Sequence, residues 1–192
     1  DVGFCFSAVK NILDKKSVIT KVSEGINDYH LQTLYSFKNF LTVTLIIKRY
    51  VFDEVGLFDE QFPTHQEAEL MIRVSHSFKG LGINQPLVNV NMTSHESVGS
   101  SVPRIIKGRK MILKKHMNEF LMFPDALAAH YFQLGLWYRD NKDFSSARIY
   151  FLKAWDTFRR LRYLIHYFSM IKTGLYKRLT KLKIISHTKS HF

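Results

Sequence analysis

One cysteine, Cys5, is present in 192 residues. No intrachain disulfide can form and no zinc site can be assembled from thiolates. This usage fits a reducing compartment, and the expected location is cytoplasmic. Cys5 lies in the apolar run "VGFCFSAV" and reads as a small core residue. Proline (4) and glycine (9) are too scarce for a low-complexity chain. No run reaches the roughly 18 apolar residues of a membrane span. The best run, "FLTVTLII", reads instead as a buried strand. The N-terminus starts acidic and has no basic region before its apolar stretch, so it lacks a signal-peptide layout. It also lacks a methionine, as if cut from a longer chain.

The last absence is of negative charge. From Thr157 to Phe192 there are nine Lys or Arg residues and no Asp or Glu. Subtracting these nine from the net +12 leaves +3 on residues 1–156. Such a tail suits an anionic membrane surface or nucleic acid, or it is a solvated basic helix.

What is present is a 46% hydrophobic chain, enough for one sizeable core with an appendix. Val2 to Ala8 alternates like a strand, and a polar connection follows to residue 28. Residues 29–40 have helical spacing, and the β-branched run at 41–49 predicts an interior strand. "RYVFDEVG" reads as a short helix closed by Gly56. Residues 57–64 form a loop, and a helix is predicted over 66–79 with Gly80 as its stop. Residues 81–92 are extended, 93–103 form a polar loop, and residues 104–121 form one helix.

Strand and helix alternate to about residue 120, which is an α/β pattern. Beyond Pro124 the pattern is all helical. Tyr131, Leu134, Gly135, Tyr138, Ala147, Phe151 and Ala154 resemble one tetratricopeptide repeat, with Gly135 and Ala147 small where two helices cross. A single repeat cannot bury both faces, so it must dock on the preceding domain or on a partner.

The stretch "FPTHQEAELMIR" poses the chemical question. Thr64 and Glu67 have the spacing of a capping box, and Glu69 and Arg73 that of an exposed i,i+4 pair. Local physics therefore accounts for both acids. Glu67, however, lies one turn ahead of Met71 and Val74 and so projects along the inward side, where a carboxylate can be tuned for proton transfer.

The segment "LIIKRYVFDEVGLFDEQFPTHQEAELMIRVS" resembles the C-terminal half of a family 2 glycosyltransferase with the GT-A fold. Lys48 and Arg49 follow a hydrophobic strand. Val51, Phe52, Val55, Gly56, Phe58, Asp59 and Glu60 match one motif. Gln66, Glu67, Glu69, Leu70 and Arg73 match the acidic motif, and Pro86, Leu87 and Val88 the strand after it. The resemblance covers roughly residues 1–118.

It implies a partial GT-A, Rossmann-like α/β domain over residues 1–120, without its N-terminal nucleotide-binding half. The tetratricopeptide-like hairpin then spans 121–158 and a basic amphipathic tail 159–192. The implied reaction is an inverting transfer from a nucleotide-diphosphate sugar to an acceptor hydroxyl, as in surface polysaccharide or glycolipid synthesis. Glu67 takes the general-base position, where the family usually has Asp. A positioned carboxylate is needed because a hydroxyl is a weak nucleophile.

Gln66, Glu69 and Arg73 would support it, with Asp59 and His65 on the acceptor side. The resemblance also implies Mg²⁺ or Mn²⁺ on an Asp-x-Asp that this sequence does not contain, with His95 as the candidate metal or diphosphate contact here. The isolated chain is accordingly expected to be inactive. The tail, with Tyr163, Leu164, Tyr167, Phe168, Ile171, Leu175 and Tyr176 among cations, resembles an interfacial helix on the inner face of a membrane. The alternative is a non-catalytic interaction module built on hairpin and tail. A nucleic-acid binder rests on charge alone.

Overall fold

The computed structural model describes residues 1–13, 16–37, 40–91 and 101–170. The chain is mixed α/β and divides into two compact units, Asp1–Val98 and Gly99–Phe192.

The first unit is built on a curled mixed sheet. Its strands are β1 (Val2–Leu13), β2 (Lys16–Thr20), β3 (Gly25–Asn27), β4 (Ile46–Ile47) and β5 (Lys79–Asn91). Their order is β2-β1-β5-β3, with β4 also on β1. β1 and β5 run parallel, so the chain between them must cross over, and it does so through α1 (His30–Tyr35), α2 (Arg49–Val55) and α3 (Gln66–Ser77). The β1–β5 register jumps from Ser7↔Ile83 to Ala8↔Pro86. Pro86 has no N–H to give a ladder, and it falls at this irregularity, where proline is tolerated.

The core of this unit is aromatic. Phe4 and Phe6 stack, and both pack edge to face or tilted on Tyr29 and Phe40, with Phe6 at 4.8 Å from Phe40 and 5.0 Å from Tyr29. Leu70, Met71 and Val74 of α3 close it from the helix side.

Several expectations are corrected. The polar connection holds two strands, β2 and β3. The β-branched run does not form an interior strand. It makes a 3-10 turn, Thr42–Thr44, and then only the two-residue β4 at the sheet margin. Gly80 is not the stop of α3. Phe78 ends that helix in extended conformation, and Gly80 is a buried strand residue under the rings of Phe4 and Tyr29.

The second unit holds α4 (Val102–Lys115), α5 (Met117–Met122), α6 (Pro124–Asp140), α7 (Phe144–Thr157) and α8 (Leu161–Ser169). The single helix expected over 104–121 is broken at His116, whose Nδ1 lies 2.8 Å from Glu119 Oε1. α6 and α7 form a hairpin, and Gly135 leaves room for the Phe151 ring. Asp143 caps α7 by accepting from the Ser146 amide at 3.0 Å, and the Ser146 hydrogen bonds hold its carboxyl below the usual range. α8 packs on the hairpin through Tyr163, 5.0 Å from Phe132. Tyr163 is fully buried there and is not part of an interfacial face.

Candidate functional site

The candidate site lies where α2 ends and α3 begins. α2 closes at Gly56, whose φ of 81° suits glycine and whose N–H donates to Phe52 O at 2.9 Å. Residues 57–65 then turn back. Asp59 Oδ1 accepts from the Gln61 amide at 3.1 Å, which is a local turn contact. α3 starts at Gln66, and His65 at its N-cap is left-handed, with φ 65° and no side-chain cap bond. The helix therefore starts one residue later than a Thr64–Glu67 capping box requires. The His65 ring packs against Phe37 at 5.6 Å, and Gln66 Nε2 donates to Phe62 O at 2.8 Å.

Glu69 and Arg73 are placed differently from the exposed pair that the spacing suggests. The Glu69 side chain is fully buried and that of Arg73 is 20% exposed. α3 is walled on several sides, since Ala68, Leu70, Met71, Ile72, Val74 and Ser75 are buried as well. A two-sided helical pattern does not anticipate that.

Arg73 Nε donates to Glu69 Oε1 at 2.9 Å and Nη2 to Oε2 at 2.8 Å. Nη2 also donates to Leu57 O at 2.8 Å, and Nη1 donates to the carbonyls of Val55 and Gly56. All five guanidinium N–H groups thus find acceptors, an arrangement that lysine cannot reproduce. The α2–α3 turn is tied to the first turns of α3 by one side chain.

Glu67 sits in the first turn of α3, partly buried. No hydrogen bond or ion pair to it occurs among the described residues. The helix N-terminus favours a carboxylate at this position. Glu67 is thus held on a fixed turn with its oxygens uncommitted, which is what a proton acceptor requires. His95 lies outside the described residues.

Sequence reasoning missed one concave feature. A cavity of about 200 Å³ opens beside β1 and is lined by Phe6, Val9, Thr20, Lys21, Tyr29 and Thr44, among others. Its lining comes from four separate segments, so no local spacing announces it. Glu67 is not among the lining residues. No family model, curated protein or solved structure matches this chain.

Proposed function

We propose that residues 1–120 are the acceptor-side half of an inverting, family 2-like glycosyltransferase of GT-A type. It transfers a sugar from a nucleotide-diphosphate donor to a glycan or lipid-linked acceptor. Glu67 takes the proton of the acceptor hydroxyl as the glycosidic bond breaks. Its charge also favours the oxocarbenium-like transition state. Arg73 and Glu69 position it by pinning the turn at 55–57 to the helix that carries it.

One observation carries this reading. The two motifs of the resemblance, at 51–60 and 66–73, are joined by Arg73 through three backbone carbonyls and one buried carboxylate. That junction supplies a physical reason for the two to occur together.

The divalent metal implied for the whole enzyme does not fit the residues at hand. The sequence has no Asp-x-Asp, and the two other acids assigned to the site are engaged, Glu69 with Arg73 and Asp59 in its own turn.

The test is transfer activity of the native gene product, whose mass is first read by immunoblot. Glu67→Gln should lower transfer by at least about a hundredfold with an unchanged melting curve. Glu67→Asp should retain measurable activity. Equal activity of Glu67→Gln and wild type would leave Glu67 as a helix-start acid. The interaction-module reading, favoured by the exposed Ile149 and Leu152 on α7, would then lead.

A further inference from the structure

Packing gives α8 two unlike faces. Tyr163, His166 and Ser169 are buried, and Met170 follows them into the core of the second unit. The opposite side carries Leu161, 69% exposed, and Phe168, 52% exposed, with the partly buried Leu164 and Ile165 between them. Positions 161, 164, 165 and 168 follow helical spacing and form one stripe. The nine-residue helix thus keeps two large apolar side chains, Leu161 and Phe168, outside the core.

Its surroundings are cationic. Arg159, Arg160 and Arg162 stand exposed at the start of the helix, and Asp156 lies 3.6 Å from Arg159. His166, whose pKa is lowered to about 4 by burial and then by Arg139 and Arg162, is neutral at pH 7 and faces inward. The sequence adds six more cations and no acid out to Phe192. An apolar stripe flanked by arginines on a short, rigidly mounted helix matches the interfacial zone of an anionic bilayer. There the stripe enters the acyl boundary and the guanidinium groups meet lipid phosphates. A nucleic-acid duplex would use the arginines but has no place for the aliphatic stripe Leu161, Leu164 and Ile165. No described helix is long and apolar enough to cross a membrane, so the contact is peripheral.

We infer that the outward face of α8, Leu161–Leu164–Ile165–Phe168 with Arg159 and Arg160, docks the second unit on an anionic membrane surface. The inference does not depend on the glycosyltransferase reading, and its test does not use transfer activity.

The full chain would be sedimented with vesicles of phosphatidylcholine alone and with vesicles containing 30–40% phosphatidylglycerol, an order-of-magnitude match to acidic leaflets. Binding is expected only to the anionic vesicles. Leu161→Ser/Phe168→Ser should weaken it at least about tenfold, because two large apolar side chains no longer leave water. Both residues are exposed, so the circular dichroism spectrum should be unchanged. Arg159→Gln/Arg160→Gln leaves the apolar stripe intact and should weaken binding by about tenfold, most clearly at low salt. This second variant keeps the test decisive if the first melts early. Three results would each overturn the inference: no binding of wild type to anionic vesicles, full binding by Leu161→Ser/Phe168→Ser, or equal binding to duplex DNA with no effect of the apolar substitutions.

Discussion

The two units bury charge in opposite ways. In the first, Glu69 is fully buried but meets Arg73 through two parallel hydrogen bonds, so the buried charge is neutralised and used as a clamp. In the second, Arg109, Arg139, His130 and His166 are all buried, and the groups around them are largely aromatic. Arg109 lies over the Trp137 ring at 4.7 Å and meets the His130 ring; Arg139 pairs with Asp140 and approaches His166 Nδ1 at 3.4 Å. Burial pulls Arg109 down to about 9. His166 falls to about 4, first through burial and then through the cations Arg139 and Arg162. The first arrangement fails when a partner is removed. The second fails when a proton is added.

The most damaging break is therefore expected at the clamp. Arg73→Ala leaves the Glu69 carboxylate in a dry site without the two hydrogen bonds that Arg73 donates, and such losses run to about 3–5 kcal/mol. Denaturant unfolding of the variant should show it, with the first unit melting below the second. Arg73→Lys restores the charge but not the fork, so it should recover only part of that loss. If Arg73→Ala costs under about 1 kcal/mol, the clamp is not structural, and the contrast between the units fails on its stronger side.

Acid should single out the second unit. The folded pKa of His166 is about 4 against an ordinary value of 6.5, so between these values the unfolded chain binds the extra proton. Stability then rises with pH across that window and is lost as pH falls from about 6.5 to about 4. The full loss is on the order of 3 kcal/mol. His166→Phe removes the titration and should flatten this part of the stability–pH curve. It keeps the ring contacts to Phe132 and Phe151 while giving up the approach of Arg139. A wild-type curve that is already flat from pH 7 to 4 would mean that His166 does not titrate alone.

These contrasts mark what was legible in the sequence. β1, α2 with its Gly56 terminus, the course of α3 and the extended segment after it were readable because local spacing sets them. The run at 41–49 misled because β propensity says nothing about whether a neighbouring strand is available. Here only Phe4 and Cys5 of β1 pair with it among the described residues. Glu69 misled because exposure was inferred from a two-sided helix, whereas α3 has walls on more than two sides. The pairing of Glu69 with Arg73 was legible as an i,i+4 spacing. That the same guanidinium also holds residues 55–57 was not, because acceptor carbonyls have no sequence signature. Tyr163 was grouped with the tail because composition cannot separate an aromatic facing its own core from one facing lipid.

Close approaches sharpen the comparison at lower energy. A methyl group at Gly82 would strike the Ser23 carbonyl, which is backbone and must move. A methyl at Gly135 would meet the Phe151 ring at 2.6 Å, and that ring can shift only within the packed hairpin. Both substitutions overpack, typically by about 1–3 kcal/mol, and Gly82→Ala belongs at the upper end. Gly135→Ala recovers part of its loss, since alanine is favoured over glycine in a helix by roughly 1 kcal/mol. The order Gly82→Ala worse than Gly135→Ala should appear in melting temperature. The reverse order would mean that the 23–25 turn yields more easily than the hairpin.

The smallest effects concern how the two units start their helices. Asp143 caps α7 with a side-chain bond to the Ser146 amide, whereas α3 begins at His65 with left-handed backbone and no such bond. Removing the cap with Asp143→Ala should cost about 1 kcal/mol. Replacing His65 acts in two directions. Glycine takes φ near 65° without penalty, so His65→Gly relieves strain of roughly 1 kcal/mol while losing the Phe37 contact, and the two nearly cancel. Valine cannot adopt that conformation readily and also loses the contact, so His65→Val should be clearly destabilising. Near-neutral His65→Gly beside costly His65→Val, with Asp143→Ala between them, would show that α7 is held by its cap. α3 would then be held by Arg73 and its buried walls. A His65→Val variant as stable as wild type would mean that the turn before Glu67 relaxes freely, and the fixed geometry proposed for that carboxylate would lose its basis.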